Sequence, residues 1–290
     1  MRKLFTVIMI TAMSAFVGCI NVPEQNWIVT RRGNMDSVYA ANNCDTTPPV
    51  KNQVSTLMQV KALDPNGFSL LNWNILKGDR ENWEADFKRF SNNKDLLVIQ
   101  EAYLTDTLCD LLQELSYDWD LAAAFEYNHI KAGVLTASVV KPSHVCILRS
   151  SEPLIRIPKT IIVTQYPLSG RDQVLVLANV HLINFTLTTA HFRDQLQQLE
   201  QLLARHPGPI IVSGDYNTWN DERMEIVNGM AGRLNLKAVI FEDDNRSTVL
   251  DHHVDHIYYR GLELVEAVSA AVTTSDHTPV AARFRLADTP

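Results

Sequence analysis

Four short polar clusters stand where apolar runs end, and each holds side chains able to handle a proton, a cation or an anionic oxygen. Asn72-Trp73-Asn74-Ile75 closes a run that begins at Phe68. Asn74 there offers a carbonyl oxygen and an amide donor, although an Asn capping the turn into the next helix is the favoured reading of the position taken singly. Val98-Ile99-Gln100-Glu101 ends in a carboxylate. A hard cation such as Mg²⁺ is held by one or two such groups plus waters, which leaves positions for phosphate oxygens. The competing reading of Glu101 is a solvated acid at a helix start. In Ile211-Val212-Ser213-Gly214-Asp215-Tyr216-Asn217, a buried run meets a glycine that permits close backbone approach. Asp215 and Asn217 can then converge on one water or one cation-bound oxygen. Ser275-Asp276-His277-Thr278-Pro279 supplies an adjacent carboxylate and imidazole, or else a polar turn closed by Pro279.

The elements that must position these clusters are short apolar runs alternating with amphipathic segments. Strands are expected at 68–75, 96–100, 133–140, 160–166, 174–181, 210–213, 254–259 and 279–286. Phe192, Leu196, Leu199 and Leu203 recur at helical spacing until Pro207-Gly208-Pro209 stops them, and 104–115 and 222–234 read as helices on the same grounds. Interleaved strands and helices over residues 67–287 indicate one α/β or α+β domain with a layered core. Residues 19–66 are polar and interrupted by Pro23, Pro48, Pro49 and Pro65, which reads as a tether and lead-in.

Composition narrows the class. With 46% hydrophobic and 20% charged residues, the chain is an ordinary globular protein rather than a disordered, coiled-coil or collagenous one. A formal charge of -7 provides no general basic field for a polyanion, so any such partner would depend on a local groove or a bound cation. Arg2 and Lys3 precede an apolar run from Leu4 to Val17, too short to span a bilayer comfortably, and residues 1–18 read as a secretory signal. Phe16-Val17-Gly18-Cys19 resembles a lipobox, which makes Cys19 the expected lipid attachment point. A plain signal peptide and an uncleaved anchor are the alternatives. The absence of Asp after Cys19 favours the outer membrane of a bacterial envelope. Cys44, Cys109 and Cys146 then remain, an odd number that reads as buried thiols more readily than as a disulfide framework, although one bridge is open.

In chain order, Asn74, Glu101, Asp215/Asn217 and Asp276/His277 resemble the endonuclease/exonuclease/phosphatase superfamily, which includes deoxyribonuclease I and neutral sphingomyelinases. Two further positions extend the match. His181 in Val180-His181-Leu182 resembles a strand-end histidine, and Asp255 in Val254-Asp255-His256-Ile257 resembles the late strand aspartate that holds the catalytic histidine. The resemblance spans 68–286 and is closest to small bacterial members, the YafD-like proteins among them. It implies a four-layer α/β sandwich, two packed mixed sheets flanked by helices. It also implies Mg²⁺ (or Mn²⁺) at Glu101, with Asn74 beside it and Asp276 supporting the site. Asp215 would deprotonate the attacking water, and Asn217 would fix the scissile phosphate. His277 and His181 would donate to its nonbridging oxygens, with Asp255 holding the His277 tautomer. Lys159 and Arg156, before the strand at Thr160, are candidates to touch phosphate, with packing or surface charge the favoured reading for both.

The expected reaction is phosphodiester hydrolysis by a monomeric enzyme, with nucleic acid as the first substrate and a phospholipid or sphingomyelin headgroup, or a phosphoinositide, as the second. A non-catalytic lipoprotein on the same fold is a third reading. His252 and His256 have the spacing of helical zinc ligands, but His253 occupies the place where a zinc hydrolase needs Glu. The alternation around them favours a strand, which puts Asp255 and His256 on opposite faces.

Overall fold

The computed structural model of the protein describes residues 20–41, Cys44 and residues 61–288. Its strands begin with β1 (Ile20–Asn21), β2 (Trp27–Arg32), β3 (Met35–Ala40), β4 (Phe68–Asn74), β5 (Leu96–Tyr103), β6 (Asp118–Tyr127) and β7 (Ile130–Ser138). Next come β8 (His144–Ser151), β9 (Pro158–Pro167), β10 (Val174–His181), β11 (Ile210–Asp215) and β12 (Lys237–Ala238). The last are β13 (Thr248–Val249), β14 (His252–His253), β15 (Asp255–Arg260), β16 (Leu262–Ser269) and β17 (Val280–Leu286). Four α-helices accompany them among the described residues: α1 (Trp83–Ser91), α2 (Asp106–Glu114), α3 (Ala190–Leu203) and α4 (Asp221–Arg233).

One sheet runs in the order β16-β17-β4-β5-β7-β6-β2-β3, with β1 added on β6, and the other runs β12-β15-β11-β10-β9-β8. Leu70, Val98, Leu177, Ile211 and Ile257 pack between the two sheets. Leu71, Trp73, Leu97 and Ile99 face outward beneath Phe87 of α1 and Leu108 of α2. Val176, Ala178, Val180 and Val212 face α3 and α4 on the opposite outer surface. The result is a four-layer α/β sandwich.

The period of two in each strand decides where the polar clusters go. On β4, Phe68 and Leu70 face the space between the sheets, and the same parity carries Asn72 and Asn74 to that face. On β10 the face of Leu175 and Leu177 continues to Asn179 and His181. On β11 and β15, Ile211 and Ile257 likewise share a face with Asp215 and Asp255. Parallel pairing of β10 with β11 sets His181 opposite Asp215, and antiparallel pairing of β11 with β15 sets Asp255 opposite Asp215. The polar ends of these apolar strands therefore meet at one end of the sandwich.

Several sequence expectations are corrected. Residues 19–66 are not simply a tether: β2 pairs with β6, β3 extends that edge, and buried Leu63 bridges to Leu168. Ile28 is fully buried and Val29 almost so, on opposite faces of β2, so burial on both faces overrides the polar composition of the surrounding stretch. Cys44 and Cys146 form a disulfide across 102 residues of chain, which leaves Cys109 as the free thiol among the described residues. The signal segment and Cys19 lie outside the described residues.

Because that bond closes a long loop, its reduction is expected to lower stability by about 2–5 kcal/mol, mainly by enlarging the unfolded ensemble. Urea denaturation with and without reductant measures this. An unchanged midpoint with the thiols shown to be free would contradict it.

Candidate active site

Asp215 is the centre of the polar cluster. Its Oδ2 accepts from Asn74 Nδ2 at 3.2 Å, and it lies 3.4 Å from His181 Nε2 and 3.8 Å from His277 Nε2. Its Oδ1 accepts from the Asn217 backbone N–H at 2.9 Å. On the far side of the His277 ring, Nδ1 meets Asp255 Oδ2 at 2.7 Å. The approach of the two strands depends on Gly214, whose φ is 152° and where a Cβ would fall 2.0 Å from the Val180 carbonyl oxygen. A glycine is required there.

The charges respond to this crowding. Burial raises the Asp215 carboxyl, and although His277 and Lys159 pull it back, it settles at about 6. Burial alone would lower the His277 imidazole. Asp255, Asp215 and the hydrogen bond to Asp255 overturn that and raise it to about 10, so His277 is an imidazolium at neutral pH. Burial and the neighbouring Lys159 and His277 charges push His181 well below the usual histidine range, which leaves it neutral.

Glu101 sits where β5 and β7 lose register, between Ile99 and Ala102, with a φ of 49°. A left-handed non-glycine residue of this kind costs on the order of 1–3 kcal/mol and persists where its surroundings impose it. Its carboxylate lies 3.9 Å from Lys77 Nζ. Glu101, Lys77, Lys159 and His181 share the wall of a cavity of about 260 Å³. Lys159 is therefore no packing or surface residue. Its Nζ lies 2.5 Å from His181 Nε2, and burial lowers its pKa against the opposing pull of Asp215 and Glu101. The signal for it was the antiparallel pairing of Ile161 with Val180, which sets the start of β9 beside the end of β10.

Two proposed site residues have other surroundings. Asp276 is exposed on the bend before β17, where its charge still helps to raise the His277 imidazole. The Asn217 amide donates to the Leu182 carbonyl at 3.0 Å, so its Nδ2 pins a loop in this geometry. The three histidines of the zinc alternative also part company. His256 Nε2 lies 2.8 Å from Thr218 Oγ1, whereas His253 lies near Asp244 and His252 near Asp221.

A support that the sequence did not reveal is Arg223, 1% exposed on α4. Its guanidinium donates to the carbonyls of Ile183 at 2.7 Å, Asn184 at 2.8 Å and Asn217 at 2.9 Å. It thus ties the segment after His181 to the segment after Asp215. With each charge-assisted bond worth about 1.5–3 kcal/mol, Arg223→Met is expected to cost about 3 kcal/mol or more and to lower activity with it. Thermal denaturation beside a kinetic assay checks this, and native stability in the variant would contradict it.

Among the described residues, Asp215, Asp255 and His277 form a group whose ligand atoms lie within 4.8 Å of one another and could hold a metal ion. Asp255 Oδ1 is buried with no hydrogen-bond partner, and carboxylate oxygens of this kind suit a hard cation.

The model of the Endonuclease/Exonuclease/phosphatase family matches residues 71–277, from the strand that bears Asn74 to His277 itself. The chain belongs to this family. A UPF0294 protein of Vibrio parahaemolyticus is 35% identical over 283 residues, covering 97% of this chain and 96% of the relative. Among solved structures, the human Nocturnin catalytic domain with bound sulfate superposes with a TM-score of 0.61 at 20% identity, covering 78% of this chain and 97% of that one. ANGEL2, a 2',3'-cyclic phosphatase in complex with adenosine-2',3'-vanadate, gives 0.56 at 18% identity, covering 76% and 96%. At these identities the two structures establish the family fold. Its residue-level chemistry has to come from this chain.

Proposed function

We propose that the protein is a metal-dependent phosphoesterase that hydrolyses a phosphodiester by direct attack of water on phosphorus. The observation that carries this is the Asp215–His277–Asp255 arrangement, a carboxylate poised near neutrality beside an imidazolium held by a second carboxylate. Asp215 takes one proton from water as the water oxygen bonds to phosphorus. The opposite P–O bond breaks, and the departing oxygen takes a proton from solvent. His277, as imidazolium, and the Lys159–His181 pair face the nonbridging oxygens as their charge grows. Nuclease-like and lipid-directed readings share this chemistry. Within the family we place the chain beside the small bacterial YafD-like members, on the motif resemblance.

A divalent cation, Mg²⁺ or Mn²⁺, would neutralise phosphoryl charge and help orient the substrate when bound. By distance alone the Asp215, Asp255 and His277 group could hold it. The motif resemblance instead puts it at Glu101 with Asn74 beside it, and that is the site we propose. Mn²⁺ binding followed by electron paramagnetic resonance separates the two sites. Loss in Glu101→Gln with retention in Asp255→Asn is expected, and the reverse would move the ion to the buried group. We further propose that Cys19 carries lipid and tethers a monomer to the bacterial outer membrane. Labelled palmitate on Cys19, absent in Cys19→Ser, tests this.

The function is tested with Mg²⁺ and a panel of plasmid DNA, RNA, sphingomyelin, phosphoinositides and a soluble diester, beside a Glu101→Ala control. Cleavage of one class, lost in the control, supports the reading. Inertness towards every member would overturn it and favour a non-catalytic lipoprotein.

A further inference from the structure

Several of the exposed apolar side chains among the described residues lie on loops at the catalytic end of the sandwich, while Met35 lies at the other end. Leu154 lies on the turn between β8 and β9, Phe185 and Leu187 on the loop after β10, and Leu250 on the β13–β14 hairpin that leads into Asp255. Leu187 is 89% exposed and Leu250 is 72% exposed. The first two segments are joined: the buried Glu152 carboxylate accepts the Asn184 and Phe185 backbone N–H groups at 2.7 and 2.9 Å. These two bonds hold the Leu154 turn and the Phe185–Leu187 loop side by side, and exposed apolar side chains held together in this way mark a surface that meets a partner or a membrane.

The cavity beside the site points the same way. Behind Glu101, Lys159 and His181, its wall is made by Ile20, Tyr103, Phe125, Val134, Ile155 and Ile157. Tyr103 and Phe125 meet edge to face with centroids 5.9 Å apart. An apolar slot thus opens next to cationic and imidazole groups, a combination suited to a phosphoester that carries an apolar group. Ile20 is held there by antiparallel pairing with Tyr127. It directly follows Cys19, the proposed lipid attachment point, so a lipid there would join the domain at the rim of this cavity.

We propose that this end docks on a lipid bilayer, and that the substrate is a membrane phospholipid whose apolar portion takes the slot while its phosphodiester meets Asp215. The substrate half of this proposal rests on the phosphoesterase reading above; the docking half does not. A polyanionic nucleic acid fits less well, because the chain carries a formal charge of -7 and Asp251 follows Leu250 on the same hairpin.

Two measurements on the full chain test the proposal in phosphatidylethanolamine/phosphatidylglycerol vesicles. In the first, Leu187→Trp is compared with Met35→Trp, which lies on the β2–β3 hairpin at the opposite end, using brominated acyl chains as quencher. The fluorescence added by Leu187→Trp should fall by about twofold or more while that of Met35→Trp does not. Equal quenching, or burial of the Leu187→Trp reporter only by dimerisation, would overturn docking. In the second, Leu154→Asp with Leu187→Asp should slow vesicle phospholipid hydrolysis by about tenfold or more, since charge is expelled from the interface. Cleavage of soluble bis(p-nitrophenyl) phosphate should stay unchanged. Cleavage of DNA or RNA with vesicle lipid untouched would overturn the lipid substrate alone. No cleavage of vesicle lipid, nucleic acid or the soluble diester would overturn the phosphoesterase reading and with it the lipid substrate, while the quenching comparison still decides docking.

Discussion

Asp215→Asn is expected to lower kcat for phosphodiester hydrolysis by roughly 10²–10⁴-fold, the range for removal of a positioned general base. The amide keeps an oxygen for the Asn217 N–H, which now meets Oδ1 at 2.9 Å, so the loop after β11 should hold its place. What is lost is the acceptor for the proton of water. The pH profile supplies a second readout. In the wild type, activity should rise as the Asp215 carboxyl ionises through about 6, because only the carboxylate can take a proton. It should fall as His277 loses its proton near 10. Asp215→Asn should abolish the acidic limb. An unchanged profile with undiminished kcat would remove Asp215 from the chemistry.

The second large effect is expected at His277. His277→Ala removes a donor facing the phosphoryl oxygens and should lower kcat by roughly 10²–10³-fold, the range for loss of one preorganised oxyanion donor. Asp255 is the positioning residue behind it. Its carboxylate is the leading influence that raises the imidazole against the burial that lowers it. In Asp255→Asn that support weakens, His277 gives up its proton at lower pH, and the alkaline limb should move towards neutrality. A purely structural role for Asp255 would reduce the rate without moving that limb. The shift is therefore the diagnostic.

The residues of the site were legible where strand parity and chemistry agreed. Asn74, His181 and Asp215 close, and Asp255 opens, the inward-facing side of an apolar strand, so a polar residue at one end of an apolar run marks both the strand and its catalytic end. Glu101 was legible as a carboxylate after an apolar run, but not as the bulged, left-handed residue inside β5, which runs on to Tyr103, because a register shift depends on the partner strand. Lys159 was misread because its neighbour comes from inter-strand register and lies 22 residues away in sequence. Arg223 looks like a solvated charge on a helix until the loops that it ties together are seen.

The missed elements follow the same logic. Strand β6, Asp-Trp-Asp-Leu-Ala-Ala-Ala-Phe-Glu-Tyr, is acidic and alanine-rich and has weak intrinsic strand preference; pairing with β7 and β2 makes it a strand. The Cys44–Cys146 bond joins a residue just beyond β3 to one on β8, and no spacing rule selects that pair. Local pattern located the chemistry, and long-range pairing supplied its supports.

The most direct test of the account is hydrolysis of a cleaved diester from the panel in H₂¹⁸O with Mg²⁺, followed by mass spectrometry of both products. Attack of water on phosphorus predicts one ¹⁸O in the phosphoryl product and none in the alcohol, with the labelled product nearly absent in Asp215→Asn. Label in the alcohol, or unreduced labelled product from that variant, would contradict it.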